Sequence, residues 1–486
     1  MRRSSLQADD HLSIVPSVRR ILLRSITFLF LATGFIQSAR ALPPVIHVFQ
    51  EISASSVSLR WQVNRSNWLS TVETRDDLSL GSWESAPGTA WPSTATNWSD
   101  LRPQNAKTRF YRVIAMPPVG HPGQLLSATW VETFSIAQLD ALFQFAGAAI
   151  SAKYAVGLYD VTYETVDPYG APILASGAIL VPVAHTNAAA LVAYDHGTSI
   201  EKSDVPSEPN LEGVLASAFA ADGYIAVAPD YLGLGASPGF HPYLHAATEA
   251  SATIDLLRAT RQFCSSNALA LNGQLFISGY SQGGHSALAT LRALEAQGTN
   301  EFSVTACGCG SGPYDLAGVS TQDFLSGRVP PNPYYFLYLL AAYQDVYGLA
   351  PSLGDLLAPP YNSTLPPLMD GLHSDTVVNG AMPPVPVNIL APGELADFRS
   401  NANNPLRLAL AENSLLDWTP KSPLRLYSCS GDEDVVPANS KAAYDSFQAR
   451  GVTQVQWQDP KPGATHDTCA IPALFSIKAW FDTLRK

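Results

Sequence analysis

Hydrophobic and polar positions follow two different periods along this chain. Between residues 44 and 117 the period is two. Ser56-Val57-Ser58-Leu59-Arg60-Trp61-Gln62-Val63 and Arg109-Phe110-Tyr111-Arg112-Val113-Ile114 alternate apolar and polar positions, with turn residues between them. Half-buried strands read this way, so the segment predicts a separate all-β module. Pro117-Pro118-Val119-Gly120-His121-Pro122-Gly123 then predicts a linker, bounded as 118–125. From about residue 126 short apolar runs alternate with helix-like segments. Residues 160–166 and 173–183 predict a hairpin turned at Asp167-Pro168-Tyr169-Gly170. The runs 190–194, 224–228, 275–279, 303–307 and 424–428 suit strands buried on both faces. Residues 212–221, 244–263 and 282–296 predict helices between them. The fold class is therefore α/β: a doubly wound, mostly parallel sheet over 126–486, preceded by a small all-β sandwich. Its site is expected at the carboxyl ends of the strands. Residues 312–423 are too long for a simple crossover and predict an inserted lid.

The first residues change the organisation again. Arg19, Arg20 and Arg24 precede an uncharged stretch over 25–37, and Ala39-Arg40-Ala41 supplies small residues where a signal peptidase reads. An export signal is expected over 1–41, its apolar core too short to span a bilayer. The expected location is outside the cell or in the periplasm, with no integral membrane span. The 486 residues are 46% hydrophobic and 14% charged, which excludes disorder. Their net charge of −12 becomes −16 once the six Arg and two Asp of residues 1–41 are removed. Such acidity argues against nucleic acid as a partner. No His or Cys spacing resembles a zinc set, so no metal is expected.

Chemistry enters at Leu275-Phe276-Ile277-Ser278, which runs into Gly279-Tyr280-Ser281-Gln282-Gly283 and then a helix-like segment. This matches G-x-S-x-G in strand-turn-helix context. A nucleophile on so sharp a turn needs glycine two residues to either side, where neighbouring backbone comes close. Ser281 is the candidate nucleophile. Its base and orienting carboxylate should follow it in the chain. His466, in Gly463-Ala464-Thr465-His466-Asp467, is the only His after His373 and is the candidate base. Gly431-Asp432-Glu433-Asp434-Val435-Val436-Pro437 supplies the acid, with Asp434 the first choice and Asp432 the alternative. An oxyanion hole should combine the backbone N–H of Gln282 with that of Gly197 or Thr198, in the loop after the strand 190–194. His196 is expected to prop that loop, and Asp230 and Tyr231 to support the loops around the pocket.

From here the chain resembles a known family. Residues 126–486 look like an α/β-hydrolase of the secreted lipase and esterase type, close to microbial secretory lipases. Besides the elbow, the resemblance rests on His196-Gly197-Thr198, on Pro229-Asp230-Tyr231-Leu232-Gly233-Leu234-Gly235 and on His241-Pro242-Tyr243-Leu244. Trp418-Thr419-Pro420 and His466 with Thr468-Cys469-Ala470 add to it. It implies Ser281, Asp434 and His466 as a triad that hydrolyses carboxylic esters through an acyl-enzyme, without organic cofactor or metal. Related acid loops leave one more residue between the Asp and Val-Pro than Asp434 does here, which keeps Asp432 open. Residues 44–117 resemble a fibronectin type III sandwich, with Trp61 on an early strand and Phe110-Tyr111-Arg112-Val113 on a late one. Five of the nine Trp fall in this module, enough for some to stack on a polymer or sugar face. The expected substrate is a small-molecule or lipid ester. The apolar helix expected at 333–343 suits an acyl-binding wall, or merely packs on the body. Five Cys in an exported chain predict disulfides and one odd thiol, with Cys429 and Cys469 placed to clamp the acid and base loops together. Two rivals share parts of this pattern: a peptidase of prolyl-oligopeptidase type, and a non-catalytic adhesion protein on a hydrolase scaffold.

Overall fold

The computed structural model describes residues 46–486, apart from 53–55, 64–68, 76–83, 90, 102–108, 117–119, 149 and 298–300. The expected export signal, Trp68, Trp83 and part of the linker lie outside the described residues.

The alternating segment forms two small antiparallel sheets. Strands β1 (Ile46–Ile52), β2 (Ser56–Val63), β3 (Leu69–Arg75), β4 (Glu84–Ser85), β5 (Asn97–Leu101) and β6 (Phe110–Met116) pair in the orders β1-β2-β5 and β4-β3-β6. Val57, Leu59 and Trp61 of β2 point to one face, as their period requires, and meet Val72 and Trp98 in a shared core. Trp91 packs on Trp61 with ring centres 6.4 Å apart. The indole N–H groups of Trp91 and Trp98 are given to the carbonyls of Ala86 and Pro87. The three described tryptophans of this module thus belong to its core, and none of them forms an exposed platform.

The larger unit is built on nine further strands: β7 (Leu125–Phe134), β8 (Val156–Val166), β9 (Pro172–Pro182), β10 (Ala189–Asp195), β11 (Ile225–Pro229), β12 (Leu271–Tyr280), β13 (Val304–Gly310), β14 (Leu424–Tyr427) and β15 (Val455–Gln458). Their order is β7-β8-β9-β11-β10-β12-β13-β14-β15. β7, β8, β9 and β11 pair antiparallel, and β11 through β15 run parallel. The predicted hairpin is β8–β9, with Asp167 Oδ1 accepting from the N–H groups of Tyr169 and Ala171. Helices α1 (Ile136–Phe145), α2 (Leu211–Ala220), α3 (Ala246–Ser266), α4 (Gln282–Ala296), α5 (Tyr334–Tyr347), α6 (Ala438–Ala449) and α7 (His466–Leu484) complete the frame.

Strand β12 explains why its run is apolar throughout. Leu275 and Ile277 enter the core shared with Ile254 and Leu257 of α3 and Leu291 of α4. Phe276 points the other way, onto Phe481 of α7 at 4.8 Å between ring centres. Both faces are covered, so alternation has nothing to report. The sequence reading did not single out α1 or α7. The capping box Ser135–Gln138 marks the start of α1, whereas α7 carries Pro472 inside it, which reads as a breaker.

Chain order reverses at β10: β11 lies on one side of it and β12 on the other. The carboxyl ends of β10 and β12 are therefore neighbours, with Asp195 opposite Gly279. Between β13 and β14 the chain forms a helical insertion with its own apolar core, including Leu337, Leu340, Val378, Ile389 and Leu410. Helix α5 is fastened to the body by Tyr338 Oη donating to the Ser199 carbonyl (3.0 Å) and Tyr343 Oη to that of Leu244 (3.1 Å). No helix among the described residues is long and apolar enough to cross a membrane.

Cys429 and Cys469 form a disulfide that ties the end of β14 to the first turn of α7. The expectation of a single odd thiol is corrected: Cys264, Cys307 and Cys309 are all free and buried. Cys307 and Cys309 alternate with glycine on β13 and pack in the core as small apolar residues. Burial pushes the Cys264 thiol up to about 12. With its partners 40 positions apart, replacing both Cys429 and Cys469 by Ser should lower stability by about 3 to 4 kcal/mol, read as an earlier unfolding midpoint in denaturant.

Candidate active site

Ser281 caps the amino end of α4 with φ +60° and ψ −122°, a conformation that non-glycine residues rarely adopt. Glycine makes the turn possible. A Cβ on Gly279 would overlap the backbone of Gly283, and one on Gly283 would overlap the Asp195 carbonyl at the end of β10. The strained residue is held from both sides: its N–H goes to the Gly310 carbonyl (2.9 Å), and its own carbonyl accepts from the N–H groups of Gly284 (2.9 Å) and His285 (3.2 Å).

His466 is the first residue of α7, just behind Thr465, whose N–H is taken by Thr468 Oγ1 at 2.9 Å. Its Nε2 lies 2.8 Å from Ser281 Oγ and its Nδ1 2.8 Å from Asp432 Oδ2. Tyr280 Oη donates to the His466 carbonyl (2.7 Å), so the elbow itself fixes where α7 begins. All three residues are buried; Ser281 keeps 8% of its surface and His466 5%.

The choice of Asp434 as the acid beside His466 is corrected by this geometry. Asp432 takes that position because its other oxygen, Oδ1, accepts from the N–H groups of Asp434 (3.1 Å) and Val435 (2.9 Å), folding the loop around the first acid. Asp434 is turned outward to the insertion, where its carboxylate accepts from Asn332 N (3.0 Å) and Asn332 Nδ2 (2.7 Å). Arg328 donates to the carbonyl of Glu433 between them. Burial raises the Asp434 pKa against the pull of His466 and Asn332. At His466 burial disfavours the charge, but the Asp432 hydrogen bond and the charges of Asp432, Asp434 and Asp467 outweigh it. Its imidazole is held above the usual histidine range.

The expected oxyanion donors are backbone N–H groups beside Ser281 in the chain and after β10. The N–H of Gln282 opens α4, and a first-turn N–H has no partner within its helix. Gly197 and Thr198 follow β10. His196 is fully buried and gives its Nδ1 proton to the Gly197 carbonyl (2.7 Å). It stacks on Tyr231 at 4.4 Å, and Tyr231 Oη donates to the His196 carbonyl (3.2 Å). Asp230 accepts from Ser176 Oγ, Ser207 Oγ and Ser207 N, and so ties β9 to the loop before α2. None of these three hydrogen-bonds Ser281, His466 or Asp432; they shape the loop that carries Gly197 and Thr198. Thr198 Oγ1 meets Tyr243 Oη at 2.9 Å, and Tyr243 stacks on Tyr338 of α5 at 4.7 Å.

Sequence reasoning missed a second buried group behind Gln282. Its side chain bonds His241 and Glu249, and Glu249 bonds His285, which reaches the Asn413 carbonyl. His241 was visible in the His241-Pro242-Tyr243-Leu244 motif, but nothing local pairs it with Gln282. No group of three or more metal-binding side chains occurs among the described residues.

Comparisons with known proteins bear on this site. The secretory lipase family profile matches residues 206–321, which contain the elbow. The crystal structure of the rice cell wall degrading esterase LipA from Xanthomonas oryzae aligns at 32% identity, over 75% of this chain and 99% of that one, with a TM-score of 0.67. A protein from Legionella pneumophila aligns at 28% identity, over 74% and 98%, with a TM-score of 0.69. Candida antarctica lipase A shares the fold at 15% identity, over 75% and 83%, with a TM-score of 0.56. No curated protein matches in sequence. A doubly wound sheet with the elbow after β12, and nearly a third of residues shared along the whole Xanthomonas esterase, lead to one conclusion: the chain belongs to the secretory lipases and esterases of the α/β-hydrolase fold, hydrolases that act on esters.

Proposed function

We propose that the chain is an exported serine esterase working through a triad of Ser281, His466 and Asp432. The observation that carries this reading is the continuous chain of contacts from Ser281 Oγ through the His466 ring to Asp432 Oδ2, 2.8 Å at each step. Ser281 Oγ attacks the ester carbonyl carbon while His466 Nε2 takes its proton. Charge gathers on the carbonyl oxygen, which the N–H groups of Gln282 and of Gly197 or Thr198 hold. His466 returns the proton to the departing alkoxide, leaving an acyl group on Ser281. Water then attacks by the same path and releases the carboxylic acid. Asp432 keeps the Nδ1 proton in place and balances the imidazolium that forms twice per turnover.

Each further part has its own support. The helical insertion acts as a lid whose α5 brings Tyr338 against Tyr243, beside the oxyanion loop. Export rests on the charge and apolar pattern of residues 1–41. The strand orders β1-β2-β5 and β4-β3-β6 favour the fibronectin type III-like reading of the small sandwich. A polymer-bound substrate is the expectation drawn from the Xanthomonas esterase, described as degrading rice cell wall. A chain-length series of p-nitrophenyl esters beside an insoluble triglyceride measures the acyl pocket directly.

Ser281→Ala should lower kcat/KM on p-nitrophenyl esters by about 10⁴-fold or more without unfolding the chain; near wild-type turnover would overturn the assignment. Asp432→Asn should lower it on the order of 10³- to 10⁴-fold and Asp434→Asn by less than about 10-fold, and the reverse ranking would return the role to Asp434. The base must be neutral to act, so a raised His466 pKa places the acid limb of the kcat/KM profile above about 6.5. Asp432→Asn removes groups that raise it, so the limb of the residual activity should move to lower pH, checked by steady-state rates across pH 4 to 9.

A further inference from the structure

The side chain of Gln282 takes no part in the reaction described above, yet it is among the most constrained groups at the site. It is 1% exposed. Its Nε2 donates both protons, one to Glu249 Oε1 (3.0 Å) and one to His241 Nε2 (2.7 Å). His241 accepts there because its own Nδ1 proton goes to the Leu232 carbonyl (2.8 Å). Burial pushes the His241 pKa down to about 4 against the bonds to Leu232 and Gln282, so the ring stays neutral. Glu249 meets His285 Nδ1 at 2.6 Å through its second oxygen, and His285 gives its Nε2 proton to the Asn413 carbonyl (2.9 Å). With these bonds each polar end of the pair has a partner, which is how a carboxyl group at 1% exposure and an imidazole at 0% can sit so deep.

We propose that this network is an aiming device for the oxyanion hole, with Glu249 and His241 as positioning residues that act through Gln282. The inference rests on the triad reading. The peptide between Ser281 and Gln282 follows a strained residue, Ser281 at φ +60° and ψ −122°, and its carbonyl is held by the N–H groups of Gly284 and His285. Those bonds fix the carbonyl end alone; without a hold on the Gln282 side the peptide tilts about them, and the Gln282 N–H swings off the point where negative charge develops. Two hydrogen bonds at the far end of the Gln282 side chain, one to α3 and one to the loop at 241, oppose that rotation. The device stabilises the transition state and leaves ground-state binding alone, because the charge it serves is absent from the bound ester.

Gln282→Met keeps the volume and removes both bonds; Glu249→Gln keeps an oxygen for Gln282 to reach. Each is measured with the full chain for kcat and KM on a p-nitrophenyl ester, for inhibition by a trifluoromethyl ketone that forms a tetrahedral adduct, and for thermal midpoint. Gln282→Met should lower kcat about 10- to 100-fold with KM within about twofold, and should weaken the ketone by the same factor. Glu249→Gln should keep kcat within about threefold. Should Gln282→Met fail to fold, His241→Phe removes one of the two acceptors and is read by the same rule, with a loss of about 10-fold. Unchanged kcat and ketone affinity, or a rise in KM alone, overturns the proposal. Full loss in Ser281→Ala beside unchanged kcat in Gln282→Met would sink the aiming device alone, whereas activity surviving Ser281→Ala would sink the triad and the device together.

Discussion

The approach of α4 to the end of β10 sets the geometry of the whole site. Gly283 lies so close to the Asp195 carbonyl that a Cβ at that position would overlap it, and Gly279 presses on Gly283 in the same way. With only hydrogens at both positions, the chain turns from strand to helix within one residue. Ser281, the residue in the turn, is forced to positive φ. A single strained serine persists because its neighbours over-determine it: Gly310, Gly284 and His285 hold its backbone, and Tyr280 fastens the same turn to His466. Ser281, the start of α7 and the loop after β10 that carries the proposed oxyanion donors therefore share one origin. Moving any of them means opening that backbone contact.

What could be read in the sequence follows from how local each feature is. The elbow declares itself within five residues, and His466 follows because it is the only histidine after His373. The parallel core strands were legible as apolar runs, since both their faces are covered. The acid was not. Three acidic residues in a row give the loop several ways to present a carboxylate, and the one that meets His466 is the one whose second oxygen folds the turn. One signal did lie in plain view. Asp432 stands three residues after Cys429 and His466 three before Cys469, so the disulfide pairs the two loops in matching register. The Gln282 network was beyond reach for a different reason: its partners lie 33 and 41 residues away, and only tertiary packing brings α3 and the 241 loop against the start of α4. Helix α7 was hidden by Pro472, a breaker by propensity that packing overrides.

The charges around Ser281 suit the charge separation of the proposed mechanism. In the proposed mechanism an imidazolium forms on one side of the serine and an oxyanion on the other. Asp432, Asp434 and Asp467 all lie on the His466 side, and their combined field holds the ring above its usual pKa despite burial. The opposite side has the amino end of α4, whose dipole favours negative charge. A bare carboxylate there would cancel that advantage, and two carboxyl groups are close by. Each is disarmed differently. Burial pushes Asp195 up to about 8, past the pull of its Thr253 hydrogen bond, which favours the uncharged acid near neutral pH. Glu249 is matched by His285 at 2.6 Å. Carboxylates thus raise the pKa of His466 on one side of Ser281, while those beside α4 are buried and hydrogen-bonded, an arrangement that suits the proposed separation of charge.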